Sequence, residues 1–102
     1  MSRLLTDDEI TRQLADLPEW SRDGGTLRAT YDAPDFLAGI RLVHEVALLA
    51  EAMDHHPDID IRWRTVSFAL STHSEGGLTQ LDVELAHEIA QEAGRVGATS
   101  AE

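Results

Sequence analysis

Three histidines and two carboxylates fall within one stretch of the chain, from Glu51 to Asp82. The histidines are His55, His56 and His73. Imidazoles can both donate and accept protons near neutral pH, and a neighbouring carboxylate fixes the tautomer of an imidazole and stabilises its charged form. The chain has no Cys, and its serines lack a nucleophile-elbow motif. The cluster therefore indicates acid–base chemistry on a small molecule rather than covalent catalysis.

Two other interpretations of the cluster stay open at this point. Three histidines and a carboxylate are a feasible ligand set for zinc or iron, but adjacent histidines supply two ligands poorly, and no HxH or HExxH spacing is present. We therefore predict no metal. Each residue also has a structural interpretation: His55 could end a helix, His73 could lie on a loop surface, and Asp82 could cap a helix.

The elements that position the cluster follow from capping signals and hydrophobic periodicity. A capping box starts a first helix within residues 6–18, which Pro18 ends. The turn at residues 23–25 joins two strands as a hairpin. A second helix is predicted over residues 34–53, and a third, capped at its start and closed by a glycine, over residues 79–94. These helices flank the histidines on both sides.

The segment at residues 58–71 is too long for a typical strand, and its apolar residues change parity. A two-residue turn at Arg64-Thr65 would place all of them on one face. The turn would pair residues of odd number with residues of even number: Trp63 with Val66, Ile61 with Phe68, and Ile59 with Leu70. We predict a second hairpin here, and a single long strand with a bulge is the alternative.

The resulting order, αββαββα, predicts an α+β fold: a four-stranded antiparallel sheet with three helices packed on one face. With 102 residues, we expect one domain over residues 1–102, with a frayed tail at residues 95–102. No apolar run approaches the ~20 residues of a membrane span and no signal peptide is recognisable, so we expect a cytoplasmic protein without a membrane partner. The net charge of −11 argues against direct binding of nucleic acid.

The predicted second helix is apolar on two sides. One stripe contains Leu42, Val46 and Leu49, and the other contains Phe36 and Ile40. A helix of this kind usually needs two packing partners, so one stripe should cover the sheet and the other should meet a second subunit. We predict a homo-oligomer, and the alternative is that neighbouring helices cover both stripes.

The cluster also has the spacing of a known signature. It is formed by Glu51, His55-His56-Pro57, Trp63, His73 and Asp82. With the flanking motifs, the chain from about residue 5 to residue 90 resembles the pterin-4a-carbinolamine dehydratase family. The resemblance implies an αββαββα fold that assembles into dimers or tetramers, partly through the second helix. It implies dehydration of 4a-hydroxytetrahydropterin to quinonoid dihydropterin in tetrahydrobiopterin-type cofactor recycling, with no metal or organic cofactor.

The resemblance also implies roles for individual residues. His56 and His73 would donate protons to the substrate hydroxyl, and His55 would act as base or substrate positioner. Glu51 and Asp82 would orient imidazoles or bind pterin donors. Further substrate-binding candidates are Asp54, Thr72, Ser74 and Trp63, the last of which could instead fill the core. A rival function within the family is a non-catalytic binding or assembly protein, similar to coactivator-like or scaffold-like members.

Overall fold

A computed structural model describes residues 3–101 of the chain. Its helices are α1 (Asp7–Leu14), α2 (Phe36–Met53) and α3 (Gln80–Arg95), and a 3-10 helix spans His73–Glu75. The strands are β1 (Ser21–Asp23), β2 (Thr26–Asp32), β3 (Asp58–Arg62), β4 (Thr65–Leu70) and β5 (Thr99–Ser100). The predicted αββαββα order and α+β class are confirmed, with one further short strand at the end.

The main sheet is antiparallel throughout and has the strand order β1-β2-β4-β3. Burial alternates strictly along β4, and the apolar side chains of β2 and β4 face the helices. Among residues 3–101, no helix covers their opposite face, which carries polar side chains. The three helices therefore pack on one face of the sheet, as predicted, and the other face stays open. The buried apolar residues include Leu27, Tyr31, Leu42, Val46, Val66, Phe68, Leu85 and Ile89.

The second hairpin exists, but its turn lies one residue earlier than predicted. Ile61 pairs with Val66 and Arg62 with Thr65, so the turn is Trp63-Arg64 rather than Arg64-Thr65. Parity fixes the face of each strand residue, so Ile59 and Ile61 share one face with the apolar residues of β4, as predicted. The prediction is wrong for Trp63, which lies in the turn and is exposed. The turn position is set by contacts with the chain before α2: the backbones of Arg64 and Ala33 bond to each other at 2.8 Å, and the Arg64 side chain donates to the Ala33 carbonyl at 3.1 Å.

Helix α2 begins at Phe36, two residues later than predicted, because Asp35 caps it by accepting from the Ala38 amide at 2.8 Å. The stripe with Leu42 and Val46 is buried against the sheet and α3, whereas Phe36 and Leu37 on another side are exposed. Within residues 3–101, no helix combines the length and the apolar character that crossing a bilayer requires. One side of α2 is thus open in the single chain.

The tail was predicted to be frayed over residues 95–102, but residues 95–101 are ordered against the domain. After α3, Gly97 turns the chain with a φ of 78°, and Thr99 and Ser100 pair with Asp32 and Tyr31 as strand β5. Strand β2 is longer than its neighbour β1, so its far end offers unpaired backbone groups that the tail can bond. Residue 102 lies outside the described part of the chain.

Candidate active site

His55 is turned into the protein by the way in which α2 ends. Asp54, directly after the helix, adopts a left-handed conformation with φ 49° and closes the helix through bonds to the carbonyls of Ala50 and Glu51. The His55 amide also donates to the Ala50 carbonyl, at 3.0 Å. The helix therefore ends before His55, so Glu51 and His55 do not share one face of α2.

A buried hydrogen-bond network surrounds Asp82, which is 0% exposed. Its Oδ1 lies 2.6 Å from His55 Nε2, and its Oδ2 accepts from the Thr72 hydroxyl at 2.7 Å and from the Thr79 amide at 2.9 Å. Because Thr72 donates its only hydroxyl proton to Asp82, the 2.8 Å contact between Thr72 and Thr79 must be donated by Thr79. Both carboxylate oxygens are thus satisfied, as burial of such a group requires.

This network joins three elements. His55 follows α2, Thr72 follows β4, and Asp82 lies in the first turn of α3 as part of a capping box with Thr79. A carboxylate only accepts hydrogen bonds when ionised, so the ionised form of Asp82 places a proton on Nε2 of His55. With 8% of its surface exposed, His55 is a buried residue whose inward nitrogen is committed to Asp82.

His56 points in the other direction from its neighbour. Its Nε2 lies 2.5 Å from Glu51 Oε2, and about half of the His56 side chain is exposed. Glu51 lies in the last turn of α2, and its carboxylate orients the imidazole of His56. This pair lies at the surface, where it can meet a ligand.

His56 and His73 line the same small cavity, with a volume of about 50 Å³. His73 reaches it from the 3-10 helix, which begins directly after Thr72 and is closed by a backbone bridge between Thr72 and Gly77. The buried Thr72 bond to Asp82 therefore fixes the chain next to His73. The cavity is further lined by Thr26 and Arg28 of β2, by Asp58 of β3, by Ala69 of β4, and by Ser71 directly after β4.

The remaining predicted site residues do not line this cavity. Asp54 is exposed at the end of α2, and Ser74 is exposed within the 3-10 helix. Trp63 lies in the hairpin turn at the opposite end of β3 from Asp58, is 71% exposed, and has the Arg64 guanidinium carbon 5.1 Å from its ring centroid. Within one chain, Trp63 thus belongs neither to the core nor to the histidine cavity.

A larger groove on the open face of the sheet continues from the histidine cavity. Its volume is about 310 Å³, and it shares Arg28, Asp58 and Ala69 with the small cavity. Sequence analysis missed Arg28 and Asp58, because a charged residue that alternates with apolar ones along a strand is typical of any solvent-facing position. The signal that could have found Asp58 is its place two residues after His56.

The geometry can support proton transfer. Two imidazoles border one cavity, a carboxylate orients one of them, and a third histidine is held in a buried network behind them. Within residues 3–101, no three His, Asp or Glu side chains converge to form a metal site. The fold and the cavity together define a small α+β domain with a cluster of histidines and carboxylates at one edge of its sheet.

Comparison with known proteins identifies the family. The family model described as Pterin 4 alpha carbinolamine dehydratase matches residues 3–92. A chain from Mycobacteroides abscessus is 58% identical over 94 residues, which are 90% of this chain and 98% of the relative. One from Mycobacterium avium is 58% identical over 86 residues, 84% and 92% of the two chains. Their names assign both relatives provisionally as pterin-4-alpha-carbinolamine dehydratases. The chain belongs to this family, which confirms the resemblance seen in its sequence.

Two solved structures are similar in fold. A transcriptional coactivator/pterin dehydratase from Brucella melitensis has a TM-score of 0.86 and 32% identity, covering 88% of this chain and 98% of that one. A pterin dehydratase-like protein, identified as a RuBisCO assembly factor in the alpha-carboxysome, has a TM-score of 0.61, with 74% and 87% covered. At 17% identity, the second likeness concerns the fold alone.

Proposed function

We propose that the protein is a 4a-hydroxytetrahydropterin dehydratase that converts the carbinolamine to quinonoid dihydropterin and water. The observation that carries this proposal is the shared cavity of His56 and His73, with Glu51 bonded to His56. The reaction needs only proton transfers, which imidazoles provide near neutral pH. Family membership supports the pterin as substrate. We place the activity in tetrahydrobiopterin-type cofactor recycling in the cytoplasm.

The proposed chemistry breaks the C4a–O and N5–H bonds and forms an O–H bond and the C4a=N5 double bond. An imidazolium, from His56 or His73, protonates the hydroxyl on C4a, and the C4a–O bond breaks with loss of water. The N5 lone pair forms the new double bond to C4a, and the N5 proton passes to a base. Glu51 keeps the ring of His56 oriented through the acid step. The burial of His55 and its bond to Asp82 favour a positioning role for His55, since it holds the chain on which His56 follows.

The test of this proposal is turnover. The carbinolamine is generated in solution by a pterin-dependent aromatic hydroxylase, and the quinonoid product is followed by absorbance. His56→Ala and His73→Ala should each lower kcat by 10²–10⁴, the usual contribution of general acid–base catalysis, without unfolding the protein. His87→Ala is the matched control, because His87 lies on α3 and lines neither cavity. Wild-type turnover in both cavity variants would refute the assigned roles.

A non-catalytic role in binding or assembly is the second candidate. It is favoured by the exposed apolar side of α2, which includes Phe36, Leu37, Ile40 and Leu48. Exposed apolar patches of this kind mark interaction surfaces. If the wild-type protein gives no acceleration over buffer in the turnover assay, the binding role becomes the better proposal.

We further propose a homo-oligomer, in which a second copy covers this side of α2. Strand β3 suits a second contact, because its outer edge has no partner strand among residues 3–101. Its sequence is self-complementary: antiparallel pairing of two copies centred on Ile61 places Asp60 of one copy opposite Arg62 of the other, twice. Opposite charges in such positions are favourable, and like charges are unfavourable.

This register can be tested by charge reversal. Asp60→Arg creates facing arginines, and Arg62→Asp creates facing aspartates, so each variant alone should sediment as a smaller species than the wild type. Mixing the two variants makes both facing pairs complementary again, and the larger species should return. If the mixture sediments like its separate components, the β3 pairing is wrong.

A further inference from the structure

The substrate needs more room than the histidine cavity offers. Pockets that hold small molecules usually measure about 300–1,000 Å³. The histidine cavity, at about 50 Å³, falls far below this range, whereas the adjoining groove on the open sheet face reaches about 310 Å³. A bicyclic ring that presents one edge to His56 and His73 must therefore extend along the groove. The residues common to both cavities are the ones such a ring meets first.

Two of these shared residues have free hydrogen-bonding capacity. Asp58 makes no side-chain hydrogen bond or ion pair to any residue from 3 to 101. Arg28 uses Nε to bond Asp23 at 3.2 Å, and its two terminal nitrogens have no partner in the described chain. Both side chains border both cavities. They are thus an unused donor and an unused acceptor at the junction of the two cavities.

The other polar residues of the groove are already paired. Thr30 and Ser67 share a hydrogen bond of 3.0 Å across β2 and β4. Asp60 accepts from Arg62 at 3.2 Å. A ligand in the groove would have to break or bypass these contacts, whereas it can use Asp58 and Arg28 without disturbing any bond. This contrast singles out Asp58 and Arg28 among the groove residues.

The pyrimidine edge of a pterin complements these two groups. Beginning at C4a, the edge presents the carbonyl oxygen O4, then the N3–H, then the 2-amino group. Two parallel N–H donors match the two oxygens of a carboxylate, and the carbonyl matches a guanidinium N–H. We infer that Asp58 accepts the N3–H and 2-amino protons of the substrate ring, while Arg28 donates to O4. This assignment rests on the proposed function and gives the site a means to select 2-amino pteridines.

The positions of Arg28 and Asp58, which border both cavities, suit this assignment. O4 is attached to the carbon next to C4a, so a guanidinium beside the histidines reaches O4 when the C4a hydroxyl faces them. Asp58 is joined to His56 through Pro57 alone and borders both cavities, so its carboxylate lies where the ring passes into the groove. The uncharged ring also suits a groove where Asp58 and Asp60 outnumber a single, partly neutralised arginine.

The inference is tested by measuring the affinity of the protein for two stable rings. Pterin carries an amino group at position 2, and lumazine carries an oxygen there. The lumazine oxygen would face the Asp58 carboxylate, so the wild type should bind pterin about tenfold more tightly, equivalent to about one lost hydrogen bond. Asp58→Asn, whose amide can donate to the lumazine oxygen, should bring the ratio to about one. Asp32→Asn is the matched control: it lies on the open face of β2 outside both cavities, bonded by Thr65, and should keep the wild-type ratio.

Three results would overturn the inference: equal affinity of the wild type for the two rings, an unchanged preference in Asp58→Asn, or no binding of pterin by the wild type. Turnover of the carbinolamine, measured on the same preparations, separates this inference from the proposed function. A wild type that prefers pterin but does not accelerate dehydration retains the ring site and refutes the catalysis. A wild type that dehydrates the carbinolamine while Asp58→Asn keeps its preference refutes the ring site alone.

Discussion

Substitution by Ala should mainly lower stability at His55 and mainly lower turnover at the adjacent His56. His55→Ala removes the partner of Asp82 Oδ1, which is buried, while Oδ2 keeps both of its donors. Leaving a buried polar group unsatisfied costs about 1–3 kcal/mol, and breaking a buried charged pair costs about 3–5 kcal/mol. We therefore expect about 3 kcal/mol of destabilisation. For a chain of this size, that lowers Tm by roughly 12–24 °C, at about 4–8 °C per kcal/mol.

His56→Ala should leave stability almost unchanged, because the bond between His56 and Glu51 is exposed and such pairs contribute about 0–1 kcal/mol. Its effect should appear in turnover instead. Thermal unfolding followed by circular dichroism gives Tm, and product absorbance gives kcat, for both variants and for the control His87→Ala on α3. Two results would refute the proposal that His55 positions the site from inside while His56 acts at the surface. One is a Tm for His55→Ala within a few degrees of wild type, and the other is a fall in Tm for His56→Ala as large as that for His55→Ala.

Three further predictions concern stability. Asp82→Asn puts an amide NH₂ against one of the donors now bonded to the carboxylate, so the free energy of unfolding measured in urea should fall by about 1–3 kcal/mol. Wild-type stability in this variant would mean that the fold does not depend on the Asp82 network. Burial raises the pKa of Tyr31 above its ordinary value, so the stability that the neutral phenol contributes is complete below about pH 10 and is lost as pH rises further, because the phenol of the unfolded chain ionises first. Tyr31→Phe should weaken this alkaline loss of stability, measured by urea unfolding from pH 8 to 11, although it also leaves Trp20 Nε1–H without its acceptor. An unchanged loss of stability would exclude Tyr31 as its source. Gly97→Ala should lower the free energy of unfolding by about 1 kcal/mol or more, because residue 97 has a φ of 78° and the new Cβ would lie 3.3 Å from Pro34 Cγ. Amide hydrogen exchange in β5 should become faster. Unchanged exchange would show that the tail strand does not depend on this turn.

The fold could be predicted from local signals, because capping boxes, periodicity and parity act within a few residues of where they are seen. Thr6 and Glu9 make both bonds of the capping box, and the odd and even apolar residues of β3 and β4 share one face. The position of the second turn depends on Ala33, which lies about thirty residues away and leaves no local trace. The tail strand likewise depends on how far β2 extends beyond β1.

The histidines of the candidate site could be picked out from the sequence, but the directions of their side chains could not. Composition and spacing found all three histidines, yet which of two neighbouring side chains turns inward depends on the backbone at Asp54. The left-handed conformation of Asp54 ends α2 before His55, so Glu51 bonds to His56 and not to His55. Arg28 could not be found because nothing in the sequence of β2 separates a groove residue from any other exposed strand position. Trp63 appeared relevant through its place in the signature, and the single chain gives it no contact with the cavity.

The opposite directions of the two adjacent histidines bear on the choice between an enzyme and a binding protein. His55 and Asp82 connect α2, β4 and α3, so selection for the fold alone would retain them in a binding protein without catalytic activity. Their presence therefore says little about turnover. His56, Glu51 and His73 contribute little to the buried network and border the cavity, so only a ligand or a reaction gives a reason to keep them together. The dehydratase proposal depends on this outward set, and substitutions in it should separate activity from stability in a way that substitutions in the buried network cannot.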